Sequence, residues 1–315
     1  MEMDDARLLR GDSTTVDTSE FTEHRIERGA HEIYARHYAG TAPAFVLMHG
    51  FPDNLRIYDA LAPLLAGAGR RVVAFDFLGY GGSDKPVDYR YTSAGLEEDL
   101  QAVVVALGLG PVVPVAHDAS GPTAINWSLA HPQQVGALAL LNTFYDAAPT
   151  LRFPEFISLF ADPGYTDLAA AFAADPAQLG WLLAFQGRQF RRDAPPALQE
   201  RGRVLEPLIR GQFAGTPSAL PAFMGLTRDL RATLEANTGR ARELAAFARP
   251  VGLIWGAGDP YLNRGVAEHL RGLFPSSELA LLPLGHWPQI DGPEEVAQVL
   301  LAPPSAVQVR GVADV

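Results

Sequence analysis

In Val115-Ala116-His117-Asp118-Ala119-Ser120-Gly121 an aspartate sits between an apolar run and a helical pattern. A strand that turns abruptly into a helix strains the φ/ψ of its apex residue, and bulk two before, two after or three after the apex clashes. Ala116, Ser120 and Gly121 are the small residues such a turn needs, which places Asp118 at the apex. Centring the turn on Ser120 would put Asp118 and Pro122 where small residues belong. The plainer alternative is an aspartate that only caps the next helix. Two later segments weigh against it. Trp255-Gly256-Ala257-Gly258-Asp259-Pro260 puts a carboxylate just past a strand, and Leu284-Gly285-His286-Trp287-Pro288 puts a histidine just past the last strand. Open parallel sheets bind ligands beyond the carboxyl ends of their strands, so all three residues belong to one edge. A carboxylate nucleophile suits an sp³ carbon with a departing oxygen or halide, and it yields an alkyl-enzyme ester. His286, oriented by Asp259, would then activate the water that hydrolyses the ester.

The composition leaves little else to do chemistry. The 315 residues contain no Cys, which removes disulfides, thiolate metal sites and thiol nucleophiles. Lys85 is the single lysine and lies in the turn Ser83-Asp84-Lys85-Pro86, where it reads as solvated, so Schiff-base chemistry is disfavoured. A net charge of −11 argues against a nucleic-acid or anionic-membrane surface. No His/Asp/Glu cluster has metal-ligand spacing, so neither a metal nor a cofactor is expected. The N-terminus is acidic and polar without the apolar core of a signal peptide. The uncharged stretch 100–117 is broken by Gly108, Gly110, Pro111 and Pro114, so it reads as a helix end and a strand rather than a membrane span. A soluble cytoplasmic protein is the default, with a homodimer left open.

The elements that must position these residues alternate. Apolar strand runs at 44–48, 71–77, 112–116 and 135–141 are separated by helical patterns at 54–66, 92–107 and 119–130, the second opened by a Thr92/Ser93 cap. Strand runs that are apolar throughout predict a parallel sheet covered on both faces. From 146 to 248 the pattern is helical only, and strands return at 251–255 and 278–282, with helices at 265–273 and after Pro293. The predicted organisation is therefore a flexible segment over 1–22, an α/β core of 23–145 and 249–302, and an inserted helical cap of 146–248.

The segments His49-Gly50-Phe51-Pro52, Asp76-Phe77-Leu78-Gly79-Tyr80-Gly81-Gly82-Ser83, His117-Asp118, Asp259 and His286 resemble the α/β-hydrolase superfamily over about residues 23–302. The chain order Asp118, Asp259, His286 matches that superfamily's nucleophile, acid and histidine. The aspartate in first place resembles the branch of epoxide hydrolases and haloalkane or haloacid dehalogenases. The resemblance implies an α/β-hydrolase fold, a mostly parallel sheet flanked by helices, with an inserted helical cap. It also implies an oxyanion hole from the backbone N–H groups of Phe51 and Ala119. His49 would brace that loop, His117 would pack beside the apex, and Asp146 is a fallback for Asp259.

Departures from the branch fall on leaving-group assistance. Dehalogenases of this type usually have Trp after the nucleophile as half of a halide cradle, and here the residue is Ala119. The segment 49–55 resembles fluoroacetate dehalogenases, yet the arginines that bind the substrate carboxylate there are replaced by Ala119 and Pro122. Epoxide hydrolases commonly carry the same Trp and use cap tyrosines. Phe156 stands where the first such tyrosine is usual, which leaves Tyr165 and Tyr145 as candidate donors. Trp181 is a candidate halide donor. Phe156 and Trp287 are expected to line an apolar pocket for a small organic substrate. Epoxide opening loses the fewest parts. Dehalogenation is the alternative, followed by a non-hydrolytic cyclase or a noncatalytic ligand receptor on the same fold.

Overall fold

The computed structural model describes residues 20–302. The flexible segment expected over 1–22 lies outside the described residues, apart from its last three, of which Thr22 already opens a strand. The strands are β1 (Thr22–Arg28), β2 (His31–Tyr38), β3 (Thr41–Met48), β4 (Arg70–Phe75), β5 (Val112–Asp118), β6 (Leu138–Thr143), β7 (Val251–Gly256) and β8 (Glu278–Leu282). They form one sheet in the order β1-β2-β4-β3-β5-β6-β7-β8. The β1–β2 and β2–β4 pairs are antiparallel and the remaining pairs are parallel. β1 has no apolar run to announce it, because as an edge strand it buries Ile26 alone.

Strand alternation divides the core in two. Phe45 and Leu47 of β3 pack with Leu61 and Leu65 of α1 (Leu61–Gly67) on one face, while Val46 and Met48 pack on the other. That second face carries Leu100 and Val103 of α2 (Ser93–Ala106) and Ile125 and Trp127 of α3 (Ser120–Ala130). Each aliphatic side chain so removed from water contributes about 1.5–3 kcal/mol. Thr92 caps α2, accepting the Gly95 N–H at 3.1 Å. Both faces of the central strands are thus dry, and the sheet is a rigid platform whose carboxyl edge stays accessible.

Between β6 and β7 the chain forms α4 (Glu155–Ala161), α5 (Thr166–Ala174), α6 (Pro176–Phe190), α7 (Pro196–Arg201), α8 (Leu205–Ala214), α9 (Leu220–Arg228) and α10 (Leu230–Leu244). α4, α6 and α9 share an apolar cluster of their own, built on Phe156, Phe160, Leu182 and Phe223. Ala222 of α9 and Leu234 of α10 join the sheet's core instead. Buried amides fasten the insertion down. Gln212 donates to the Asp53 carbonyl at 2.8 Å and accepts the Gly81 N–H at 3.0 Å. Asn237 donates to the Tyr145 carbonyl at 2.8 Å. The chain closes with α11 (Arg264–Leu273), α12 (Pro288–Asp291) and α13 (Pro293–Leu301) around β8. No single helix among the described residues is long and apolar enough to cross a membrane.

Candidate active site

β5 ends at Asp118 with a φ of 52°, a left-handed conformation that costs an L-residue about 1–3 kcal/mol. The Thr143 hydroxyl at the end of β6 donates to the Asp118 carbonyl at 2.5 Å and holds the turn. Space does the rest. A Cβ on Gly121 would lie 1.9 Å from Thr143 Oγ1, and a Cβ on Gly50 would lie 2.6 Å from the Asp118 side chain. Only glycine lets α3 start this close and lets the loop after β3 reach the carboxylate. Ser120 is turned away. Its hydroxyl lies 2.9 and 2.8 Å from the Met48 and His117 carbonyls, accepts the His117 N–H at 3.0 Å, and is fully buried.

The Phe51 N–H donates to Asp118 Oδ2 at 3.3 Å, and the Ala119 N–H lies near enough to favour the ionised carboxylate. His49 braces the loop from beneath: its Nδ1 donates to the Gly50 carbonyl at 2.7 Å and its Nε2 accepts the Phe77 N–H at 3.2 Å. Burial raises the Asp118 pKa, while His286 and the two N–H groups pull it back toward the ionised form.

His286 and Asp259 meet at 2.6 Å, Nδ1 to Oδ2. Asp259 also accepts from Asn142 Nδ2 at 3.0 Å, the Tyr261 N–H at 2.9 Å and the Leu262 N–H at 3.1 Å. Burial alone would raise the Asp259 pKa, but His286 and these donors hold it below the usual carboxylate value. Burial would likewise depress His286, and Asp259 reverses the sign, leaving the imidazole pKa raised. Asp146 is engaged elsewhere, with His269 Nε2 at 2.7 Å.

Three neighbours were invisible in the linear pattern. Asn142, left-handed at φ 28°, accepts the Gly256 N–H at 2.7 Å besides donating to Asp259, and so locks β6 to β7. Asp53 is fully enclosed. Its Oδ2 accepts the Trp287 indole N–H at 2.9 Å, its Oδ1 has no partner among the described residues, and burial pushes its pKa up to about 7. Its one hint in the sequence is an acid beside the His49–Pro52 motif, where a solvated loop acid looks the same. The third, Tyr261, lies two residues past Asp259. His117 is second to none in burial and holds the His286 carbonyl through Nε2 at 2.8 Å; burial keeps its pKa well below the usual value, so it stays neutral. Lys85 is half-buried rather than solvated, donating to the Gly81 carbonyl at 2.5 Å and fixing its own turn.

A cavity of about 900 Å³ lies between this edge and the inserted helices. Asp118, Ala119, Phe51 and His286 open into it, together with Phe156 and Trp287. Asp259 stands behind His286, outside the lining. The structure does not bring the three candidate donors there. Tyr165 is 52% exposed and Trp181 58% exposed, both on the outer side of the inserted helices, because helical spacing shows which residues share a face but not which face turns inward. Tyr145 is buried beneath, its hydroxyl donating to Asn126 Oδ1 at 3.0 Å. The tyrosine that does line the cavity is Tyr261. Its hydroxyl donates to Glu155 Oε2 at 2.5 Å and accepts from Gln186 Nε2 at 2.8 Å; burial and Glu155 raise its pKa, so it is a neutral phenol. Among the described residues no group of three or more His, Asp or Glu is placed to hold a metal ion.

Comparison with known proteins places the chain among hydrolases. The putative hydrolase LipZ of Mycobacterium tuberculosis is 28% identical over 278 residues, covering 86% of this chain and 91% of that protein. Epoxide hydrolase A of the same organism is 28% identical over 309 residues, covering 85% and 92%. The solved structure of the haloalkane dehalogenase DatA from Agrobacterium tumefaciens superposes with a TM-score of 0.72 at 22% identity, covering 89% of this chain and 94% of that one. The family model for the alpha/beta hydrolase fold matches residues 43–293, most of the sheet and all of the inserted helices, and the protein is therefore a hydrolase belonging to the alpha/beta hydrolase fold family.

Proposed function

We propose that the protein is an epoxide hydrolase working through an alkyl ester on Asp118. The observation that carries this reading is the carboxylate held at a left-handed strand end, facing one cavity with His286, which Asp259 holds from behind. A carboxylate oxygen of Asp118 attacks an epoxide carbon, the ring C–O bond breaks, and the departing oxygen takes a proton. Water, deprotonated by His286, then adds to the ester carbonyl, which is the Asp118 Cγ. The Phe51 and Ala119 N–H groups stabilise the oxyanion so formed, an effect of about 3–4 kcal/mol for one such donor. Collapse releases the second hydroxyl, so epoxide and water become a vicinal diol and one Asp118 oxygen comes from water.

Tyr261 replaces Tyr165 and Tyr145 as the proton donor in this reading: it is the phenol on the cavity wall, and unlike an indole fixed in its ring plane its O–H can rotate from Glu155 to the departing oxygen. The indoles favour an oxygen leaving group over a halide. Trp287 spends its N–H on Asp53, Trp127 on Gln101 Oε1 and Trp255 on the Leu262 carbonyl, while Trp181 lies outside the cavity. A halide would find no indole N–H waiting for it. The inserted helices act as a cap that keeps bulk water from the ester.

The test is a single turnover of a small terminal epoxide in H₂¹⁸O, with mass spectrometry of the peptide containing Asp118. Label in the Asp118 carboxylate is expected. In His286→Gln the alkyl-enzyme should accumulate, detected as intact-protein mass increased by the mass of the substrate. Label appearing only in the diol, with no adduct in the variant, overturns the ester mechanism.

A further inference from the structure

The mouth of the cavity is cationic although the molecule as a whole carries a net charge of −11. Six arginines line it: Arg152, Arg188, Arg191, Arg192, Arg203 and Arg210. Three are matched by carboxylates, Arg191 by Asp291 at 3.1 Å, Arg203 by Glu200 at 3.1 Å and Arg210 by Glu206 at 4.0 Å. Arg152, Arg188 and Arg192 enter none of the ion pairs among the described residues, and all three are exposed. Arg188 sits in the last turn of α6, where the helix dipole favours a cation. Arg152 and Arg192 lie outside any helix; the Arg152 guanidinium is 6.0 Å from the centre of the Tyr261 ring, and Arg192 has neither an ion pair nor an aromatic contact among the described residues.

Their position relative to the reacting groups is what matters. Phe190 lies between Arg188 and Arg192 in the chain, and its ring packs 4.6 Å from the His286 ring and 4.9 Å from Trp287. One short segment therefore runs from the histidine to the rim. Between rim and floor the walls are apolar, including Phe153, Phe156, Ile157, Leu183 and Leu226. The volume of about 900 Å³ stands at the upper end of small-molecule pockets, far more than a two-carbon acid would fill.

We propose that the substrate is an anionic amphiphile: an apolar chain with the reacting carbon at its inner end and a carboxylate at its outer end, met at the mouth by Arg152, Arg188 and Arg192. The inner end rests on the function proposed above, and the outer end does not. Guanidinium is the cation that grips carboxylate through two parallel hydrogen bonds. Exposed pairs are worth little singly, about two- to fivefold each, and three together give about tenfold or more.

A medium-chain acid carrying a terminal epoxide, and its methyl ester, test the proposal. At low salt, kcat/KM for the acid should exceed that for the ester by about tenfold, a difference of ~1.4 kcal/mol, and added salt should shrink the ratio. In the double variant Arg188→Gln/Arg192→Gln the ratio should fall to within about twofold of unity. An ester processed as well as the acid, with a ratio that the variant leaves unmoved, overturns the proposal. Calorimetric binding of a plain medium-chain alkanoate, which has no reacting group, separates the two readings. Affinity that drops in the double variant supports the anionic subsite even if no epoxide reacts, and affinity indifferent to the arginines overturns it even if epoxides do.

Discussion

The floor and the mouth of the cavity are built on opposite terms. On the floor, Asp259, His286, His117 and Asp53 are buried and Asp118 is half-buried, and each is held by named partners at hydrogen-bond distance. At the mouth, Arg152, Arg188 and Arg192 are exposed and enter no ion pair among the described residues. In a low-dielectric floor one charge or one proton changes the energy of its neighbours by several kcal/mol, whereas water screens the mouth and leaves each charge worth a fraction of that. Chemistry therefore belongs to the floor and selection to the mouth. Substitutions on the floor should change what the enzyme does, and substitutions at the mouth should change which molecules it does it to.

Asp259→Asn is expected to give the largest effect. His286 must be neutral to take a proton from water, so hydrolysis of the ester rises as pH climbs through the imidazole pKa. Burial by itself would lower that pKa, and Asp259 raises it, which sets the rise above the ordinary histidine value of about 6.5. Without the carboxylate, kcat should fall about 10³–10⁴-fold and the rise should move to lower pH. Single-turnover hydrolysis measured across pH reports both. A profile whose midpoint stays where it was would mean that Asp259 does not tune His286, and that the pair is only structural.

Tyr261→Phe tests the next link, with about a 10²-fold loss expected in formation of the alkyl-enzyme while its hydrolysis is spared. Equal loss in both steps would point to disturbed packing, since the hydroxyl also joins Gln186 to Glu155. This residue marks the boundary of what could be read in advance. Asp118 was legible because a strand–helix turn imposes small residues at fixed short offsets, a local rule. Asp259 and His286 followed because strand ends fall on one edge of a parallel sheet. Asn142 was not legible, as its meaning is a bond to Asp259 across 117 residues. Asp53 was not legible either, because the Trp287 side chain that meets it stands 234 residues away. The inserted helices were visible as helices, but their inward face was not. That is why Tyr165 and Trp181 read as cavity residues although both lie outside it, while Tyr261, which lines it, carried no signal.

Asp53→Asn carries the smallest expected change in rate and sharpens the comparison through stability instead. Burial raises the Asp53 pKa to about 7, against roughly 3.9 in an unfolded chain. Between those values the folded state keeps a proton that the unfolded state has lost, so folding weakens as pH rises and the loss levels off above about 7. Full expression of that shift corresponds to at most about 4 kcal/mol. Asparagine can still accept the Trp287 N–H but has no charge to bury. The variant should therefore gain little on the wild type near pH 4, then a few kcal/mol by pH 8, seen as a melting-temperature difference that widens with pH. The double variant Arg188→Gln/Arg192→Gln, by contrast, should melt close to the wild type at every pH, since exposed charges leave little to recover. A flat difference for Asp53→Asn would show that water reaches this carboxylate, and the floor would then be no drier than the mouth.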